Sequence, residues 1–174
     1  MRILSIFLIL AYLTLITGCS DIITSYDYDT RADFANLRTF AWLPIPPASQ
    51  VDDLTTRRIQ RAISSQLGIK GINEVQDDPD FLIAMHTGRQ SKVQIVDWGY
   101  SYPRYGRYWD GPSVDVYEYE EGTLVLDFVD TKTNELSWRG SASAVINPDL
   151  TPQEREIRIN EAVSKILENF PPGL

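Results

Sequence analysis

The feature that most constrains this chain is its single cysteine, Cys19, which directly follows an apolar segment. One cysteine cannot form an intramolecular disulfide, so the fold must be held together by its hydrophobic core. The apolar segment, Ile3 to Ile16, is about 14 residues long, which matches the core of a signal peptide and is short for a membrane span. After Cys19, no stretch reaches the roughly 18 apolar residues that a spanning helix needs. The rest of the chain is therefore predicted to contain no membrane-spanning segment.

The residues around Cys19 resemble the lipobox of bacterial lipoproteins, with Ile-Thr-Gly immediately before the cysteine. In lipoproteins the thiol receives a diacylglyceryl group, a peptidase cuts before the cysteine, and the new amino group is then acylated. The resemblance predicts a signal peptide at residues 1–18 and lipid attachment at Cys19. It also predicts a mature domain at residues 19–174 with a short tether at about 19–23. An ordinary secretory signal that happens to contain a cysteine is the alternative.

The residue after Cys19 is Ser20, whereas an aspartate at this position commonly retains lipoproteins in the inner membrane. The resemblance therefore predicts a lipid anchor in the outer membrane of a Gram-negative envelope, facing the periplasm. The formal net charge is −8, and it becomes −9 when Arg2 leaves with the signal peptide. Such an acidic chain lacks the basic footprint of a nucleic-acid-binding protein. It is also not attracted to anionic lipid head groups, so the acyl chains would provide the membrane attachment.

The hydrophobic pattern predicts a single α+β domain, with a mostly antiparallel sheet and two helices packed on one face. The first helix is predicted at about Leu54–Leu67, with Asp52 or Asp53 as its N-cap. The second begins with the capping box Thr151-Pro152-Gln153-Glu154 and keeps helical spacing as far as Phe170. The predicted strands are Ile22–Tyr28, Thr39–Trp42, Phe81–Thr87, Lys92–Trp98, Tyr117–Tyr119, Gly122–Asp130 and Leu136–Ile146.

The clearest strand pair is the hairpin formed by the last two of these segments. Alternation gives it one apolar face, which we expect to lie against the helices. That face carries Leu124, Leu126, Phe128, Leu136, Trp138, Ala142 and Ala144. The other face is predicted to be solvated on its second strand, where it carries Ser137, Arg139, Ser141 and Ser143. Trp42 and Trp138 are expected to fill the core, because large aromatic side chains dominate core burial.

His86 is the only histidine, and the strand pattern places it on the same face as Leu82 and Ala84. The chain has no second histidine and no free cysteine to complete a zinc site, so we interpret His86 as structural. A general base or a metal ligand is the alternative. Composition also permits a serine–histidine–aspartate triad, although no Gly-x-Ser-x-Gly elbow supports one. No metal and no cofactor is predicted.

Two acidic runs, Asp77–Asp80 and Glu118–Glu121, contain enough carboxylates to suggest calcium ligands or catalytic acids. Neither has the register of a calcium-binding loop. The first is predicted to be a turn whose aspartates bond their own backbone, as aspartates commonly do in turns. The second alternates with tyrosines and is predicted to be an exposed strand.

The segment from Trp98 to Trp109 has no period and is rich in aromatic residues, arginines and glycines. Aromatic faces stack on sugar rings, and tyrosine-rich loops make good protein-binding surfaces. We therefore take this segment as the candidate binding surface, with a mobile hairpin tip or a flap over the sheet as alternatives. Its candidate binding residues are Trp98, Tyr100, Tyr102, Arg104, Tyr105, Arg107, Tyr108 and Trp109.

Taken in order, short motifs along the mature chain resemble the domain-of-unknown-function family 4136 of bacterial lipoproteins. The resemblance covers nearly all of the mature chain, and it implies a lipid-anchored envelope protein without implying an activity. The matching residues are Tyr26-Asp27-Tyr28-Asp29, Asp33-Phe34, Thr39-Phe40-Ala41-Trp42-Leu43-Pro44, Asp78 to Ala84, His86, Glu121-Gly122-Thr123-Leu124, Leu126-Asp127, Asp130-Thr131-Lys132, Trp138-Arg139-Gly140, Glu161-Ala162-Val163, Ile166-Leu167 and Phe170-Pro171-Pro172.

Two functions are consistent with the sequence. The first is a non-enzymatic envelope lipoprotein that is attached to the membrane by its N-terminal lipid and binds an envelope protein or peptidoglycan. The second is a periplasmic hydrolase that uses carboxylates to cleave an envelope glycan or peptide. The arrangement of His86 and the acidic residues discriminates between them, because a hydrolase would bring them together in one cleft.

Overall fold

The structure is a computed structural model that describes residues 22–44, 52–97 and 114–173. It contains a six-stranded sheet, two α-helices and one short 3₁₀ helix. Among the described residues, no helix is both long and apolar enough to cross a membrane. In chain order the elements are β1 (Ile23–Tyr28), β2 (Thr39–Trp42), α1 (Asp53–Ile69), β3 (Asn73–Glu74), β4 (Phe81–Asp97), β5 (Val114–Asp130), β6 (Leu136–Val145), α2 (Pro152–Ile166) and the 3₁₀ helix Leu167–Asn169.

The strand order across the sheet is β1-β6-β5-β4-β2-β3. β1, β6, β5 and β4 are antiparallel neighbours, whereas β2 pairs in parallel with both β3 and β4. The parallel pairs follow from connectivity, because α1 carries the chain from the end of β2 back to the level where β2 began. The predicted α+β class and single domain are thus confirmed, with a mixed sheet.

The two central strands are longer than the sequence pattern indicates. β4 and β5 each contain 17 residues and pair without interruption from Phe81 opposite Asp130 to Asp97 opposite Val114. The shorter strands predicted on either side of Gly88 are therefore parts of one strand. β6 accompanies β5 only as far as Glu121, so the remainder of the β4–β5 hairpin is two-stranded. This extension leads to residues 98–113, which lie outside the described chain.

Both helices pack on one face of the sheet, as predicted, and their side chains complete a single core. Its centre is aromatic: the ring of Phe128 lies 4.6 Å from Phe170, 4.8 Å from Trp138 and 4.9 Å from Phe81. Each such aromatic pair contributes about 0.5–1.5 kcal/mol beyond the area that it buries. Trp138 is completely buried, as expected, whereas Trp42 is half-buried at the core margin. Within the described ranges, all the buried core residues lie between 22 and 170.

The predicted helix caps are confirmed. The carboxylate of Asp52 accepts hydrogen bonds from the N–H groups of Leu54 and Thr55 at the start of α1. At the start of α2, Thr151 and Glu154 form the reciprocal capping box, with proline in the first turn. These side chains satisfy N–H groups that the helix itself leaves without partners.

The expected face assignment is wrong at the beginning of β6. A shift of register between Phe128 and Val129 places Leu136, expected in the core, at 44% exposure. Ser137, expected to be solvated, is buried, and its hydroxyl donates a hydrogen bond of 3.0 Å to the carbonyl of Phe128. An irregularity of this kind reverses the alternation of side chains on one side of it, and no sequence period reveals it.

The first acidic run is a turn, but Asp80 does not bond its own backbone as predicted. One of its carboxylate oxygens accepts from the N–H groups of Arg38 and Thr39 and from the Thr39 hydroxyl, at 2.8–3.0 Å. Burial alone would raise the pKa of Asp80, but these hydrogen bonds outweigh it and lower the pKa below its ordinary value of 3.8. Asp80 therefore fastens the start of β4 to the start of β2.

Gly140 is expected to tolerate no side chain. A Cβ atom there would collide with the Trp138 ring and would lie 2.6 Å from Cγ2 of Ile166. We predict that Gly140→Ala lowers the free energy of unfolding by about 1–3 kcal/mol, because the core has no room to adjust. Urea denaturation measures this, with Gly88→Ala as the matched control, since no atom lies within 4 Å of a Cβ at Gly88. Equal effects of the two substitutions would contradict this account of the core.

Asp80→Asn is expected to destabilise the domain in a pH-dependent way. Because the folded-state pKa is below the unfolded value, the charged carboxylate stabilises the fold above about pH 4 and loses this effect as the pH falls through the folded pKa. At pH 7 we expect a loss of about 1–2 kcal/mol, as for hydrogen bonds to charged groups. Thermal unfolding at several pH values should show the variant and the wild type converging below pH 4. The exposed neighbour Asp78→Asn serves as control, and a pH-independent difference for Asp80→Asn would refute the assignment.

Candidate functional site

The face of the sheet opposite the helices is open in the described part of the chain. Strand pairing places four half-buried apolar side chains on the central strands of this face: Leu82, Ala84, Val125 and Val129. Hydroxyl side chains flank them on β1, β5 and β6. Ser25 and Ser141 are hydrogen-bonded at 2.9 Å, and Thr123 and Ser143 at 3.2 Å. We call this surface the open face.

A buried carboxylate lies at the centre of the open face. Asp127 is only 7% exposed, because Arg139 on β6 and His86 on β4 cover it. Arg139 donates two parallel hydrogen bonds, from Nε to Oδ1 at 2.5 Å and from Nη2 to Oδ2 at 2.7 Å. This hydrogen bonding raises the pKa of Arg139 above its already high ordinary value. Two-point pairing of this kind holds both side chains in one geometry.

His86 lies on the face predicted for it and contacts the same carboxylate. Its Nε2 is 3.3 Å from Oδ2 of Asp127, and its side chain is 55% exposed. Both carboxylate oxygens are already engaged by Arg139, which leaves Asp127 poorly placed to act as a base. Ser141 lies two strands away from His86, with Val125 between them, or about 10 Å at the usual strand spacing. His86, Asp127 and Ser141 therefore do not form a proton relay, and the interpretation of His86 as structural stays a prediction.

A second feature lies on the other side of the sheet, where the first turns of both helices meet β5 and β6. There the structure leaves a cavity of about 470 Å³, within the size range of small-molecule sites. Its inner wall is apolar, formed by Ile59, Leu124, Ala142, Ala144, Ile159 and Ala162. We call it the helix-end cavity.

Charged side chains surround the opening of the helix-end cavity: Arg89, Arg155 and Arg158 with Asp52 and Glu120. Arg89 lies 3.5 Å from Glu120, and Asp52 caps α1. Arg155 is held by carbonyl groups, since its Nε donates to Leu150 and its Nη2 to Pro148, at 3.0 and 2.9 Å. In the described chain no carboxylate pairs with Arg155, so its positive charge remains available at the opening.

Other residues predicted to be functional are not tested by this geometry. Cys19 and the candidate binding residues from Trp98 to Trp109 lie outside the described residues. In the second acidic run, Glu118 and Glu120 are exposed, and Glu121 accepts two hydrogen bonds from Lys92 at 2.7 and 2.8 Å. Within the described ranges, no three His, Cys, Asp or Glu side chains are grouped as metal ligands would be.

Sequence reasoning missed both features of the described structure. The pairing of Asp127 with Arg139 could have been predicted, because alternation places both on the outer face of the hairpin and the register sets them directly opposite each other. The helix-end cavity had only a weak signal, namely the small residues Gly122, Ala142 and Ala144 near one end of the sheet. Whether small residues leave a space or allow close packing depends on the helices above them.

Comparison with solved structures identifies similar folds at low identity. A PDZ domain protein from Parabacteroides distasonis has a TM-score of 0.54 and 15% identity over 88% of this chain. The chain spans only 37% of the length of that protein. A PelC dodecamer from Paraburkholderia phytofirmans has a TM-score of 0.48 and 10% identity, covering 83% of this chain and 95% of the PelC chain.

None of the curated proteins matches the sequence. The comparison with protein families gives a match to the family described as "Domain of unknown function (DUF4136)", over residues 24–172. The match runs from β1 to the residues that follow the 3₁₀ helix, and so includes the whole sheet and both helices. The chain therefore belongs to the DUF4136 family.

Proposed function

We propose that this protein is a lipid-anchored, non-enzymatic binding protein of the bacterial cell envelope, located at the periplasmic side of the outer membrane. The anchor is the lipid on Cys19, and the partner is another envelope protein. The observation that carries the binding role is the open face, where half-buried apolar side chains surround a charged centre in which Arg139 pairs with Asp127 at two points.

The start of the fold supports the anchoring part of the proposal. Ile22 is buried and β1 begins at Ile23, so only two residues separate Cys19 from the folded domain. An extended residue spans at most about 3.6 Å, so a lipid on Cys19 would hold the domain within roughly 11 Å of its attachment point. A partner in the same envelope layer would then be reached without a long linker.

The composition of the open face supports a protein as the partner. Protein interfaces combine an apolar centre with polar groups that form hydrogen bonds, whereas small ligands prefer concave sites. The open face offers half-buried apolar side chains on β4 and β5 beside the serines of β1 and β6. Arg139 is still 54% exposed although Asp127 holds it, so its guanidinium group is both oriented and accessible.

The predicted segment from Trp98 to Trp109 stays part of this proposal. It is connected to the β4–β5 hairpin, whose first half forms the middle of the open face. The hydrolase alternative gains no support from the geometry around His86, since both carboxylate oxygens of Asp127 are committed to Arg139.

Lipid attachment at Cys19 is tested on the mature protein isolated from membranes of a Gram-negative host. Mass spectrometry is expected to find an acylated Cys19 at the amino terminus, and Cys19→Ser is expected to yield unlipidated protein. In density gradients the wild type should follow the outer membrane. Ser20→Asp serves as matched control and should shift the protein to the inner membrane. A free thiol on the mature wild-type protein would refute the anchor.

Partner binding is tested by photo-crosslinking in intact cells. A photo-reactive phenylalanine analogue is placed at Ser141 on the open face, at Tyr105 in the aromatic segment, or at the exposed Ile157 of α2 as control. We expect a discrete protein adduct from position 141, its loss when Arg139→Glu is added, and none from position 157. The protein labelled at position 141 must retain the wild-type circular dichroism spectrum both with and without Arg139→Glu.

The other outcomes discriminate between the remaining surfaces. Adducts from position 105 alone would move the binding site to the aromatic segment, and deletion of residues 100–109 should then abolish capture without unfolding the domain. Adducts with peptidoglycan rather than protein would replace the proposed partner by a glycan. Equal labelling from positions 141 and 157 would refute the open face as a binding surface.

A further inference from the structure

The helix-end cavity exists because small residues line the sheet where the helices begin. Ala142 and Ala144 on β6 and Ala162 on α2 replace the larger side chains that fill the aromatic centre of the core. These small side chains leave a space of about 470 Å³ that opens to solvent between the sheet and the helices. The apolar wall excludes a strongly hydrated ligand and favours a hydrocarbon group.

The charged side chains at the opening of the cavity favour an anionic ligand. Three arginines and two carboxylates line it, and Arg155 is the one whose charge meets no carboxylate in the described ranges, although the chain carries a formal charge of −8. Asp52 is occupied as a helix cap and Glu120 by Arg89. Arg155 uses two of its three nitrogens on carbonyl groups, and Nη1 makes no hydrogen bond in the described chain. An anion at the opening would therefore meet an oriented, unneutralised guanidinium group.

We propose that the helix-end cavity binds a fatty-acid anion, with the acyl chain against the apolar wall and the carboxylate at Arg155. Unlike a sugar or a peptide, a single unbranched chain provides only hydrocarbon for the interior. A single carboxylate matches the single guanidinium group of Arg155. This site is on the helix side of the sheet and does not depend on the open face or on the anchor.

The experiment uses the chain from Ser20 to Leu174, which contains every buried core residue of the described ranges and carries no lipid of its own. Binding of octanoate, decanoate, laurate and myristate is measured by isothermal titration calorimetry below their micelle-forming concentrations. We expect the dissociation constant to fall about fourfold for each added methylene until the cavity is full, and then to remain constant. Dodecanol is expected to bind more weakly than laurate, because it lacks the charge.

Two pairs of variants locate the ligand. Arg155→Gln is expected to weaken laurate binding by about 10-fold or more, as for loss of a hydrogen bond to a charged group, and to leave dodecanol unaffected. Its control is Arg57→Gln, which removes an arginine that does not line the cavity. Ala144→Phe should abolish binding by filling the space, with the exposed Ala35→Phe as control. If Ala144→Phe unfolds, the chain-length series on the wild type decides alone.

Three results would overturn the proposal. Absence of binding by every fatty acid would show that the cavity is no acyl site. An affinity that rises with chain length without a limit, and equally for Arg155→Gln, would indicate adsorption to the surface. Binding by the Ser20 chain but not by the lipidated protein would identify the acyl group of Cys19 as the occupant.

Discussion

The packing of Phe170 against Phe128 and Trp138 is the interaction on which the rest of the structure depends. Phe170 follows the 3₁₀ helix at the end of α2, and its ring lies 4.6 Å from Phe128 and 5.1 Å from Trp138. This contact closes the second helix onto the central strands of the sheet. It is possible only because Gly140 leaves room for the Trp138 ring beside Ile166. The lack of a side chain at Gly140 thus determines how closely α2 approaches the sheet.

The same packing leaves the two ends of the helix layer unequal. At the Phe170 end, four aromatic rings fill the space between sheet and helices, and Asp80 fastens β2 to β4. At the opposite end, alanines and a glycine line the sheet and the helix-end cavity remains.

The open face has a different physical origin. Its centre is the carboxylate of Asp127, which is buried without being in the core, and the side chains of Arg139 and His86 cover it. Removing one partner of such a cluster leaves a charge without compensation, so the cluster is maintained as a unit. It therefore orients Arg139 and His86 at the centre of the open face.

The sequence by itself determined the elements and the inner face of the sheet. These features are local patterns, because they depend only on neighbours in the chain. They include the helix caps at Asp52 and Thr151, the spacing of apolar residues in both helices and the alternation from Leu124 to Phe128. Tertiary structure decided the rest. Four features depend on which strand or helix lies opposite. They are the irregularity beside Phe128 that buries Ser137, the hydrogen bonds between Asp80 and β2, the contacts of Arg139 and His86 with Asp127, and the helix-end cavity. Contacts between distant parts of a chain leave no period in its sequence, because their register is set only when the core packs.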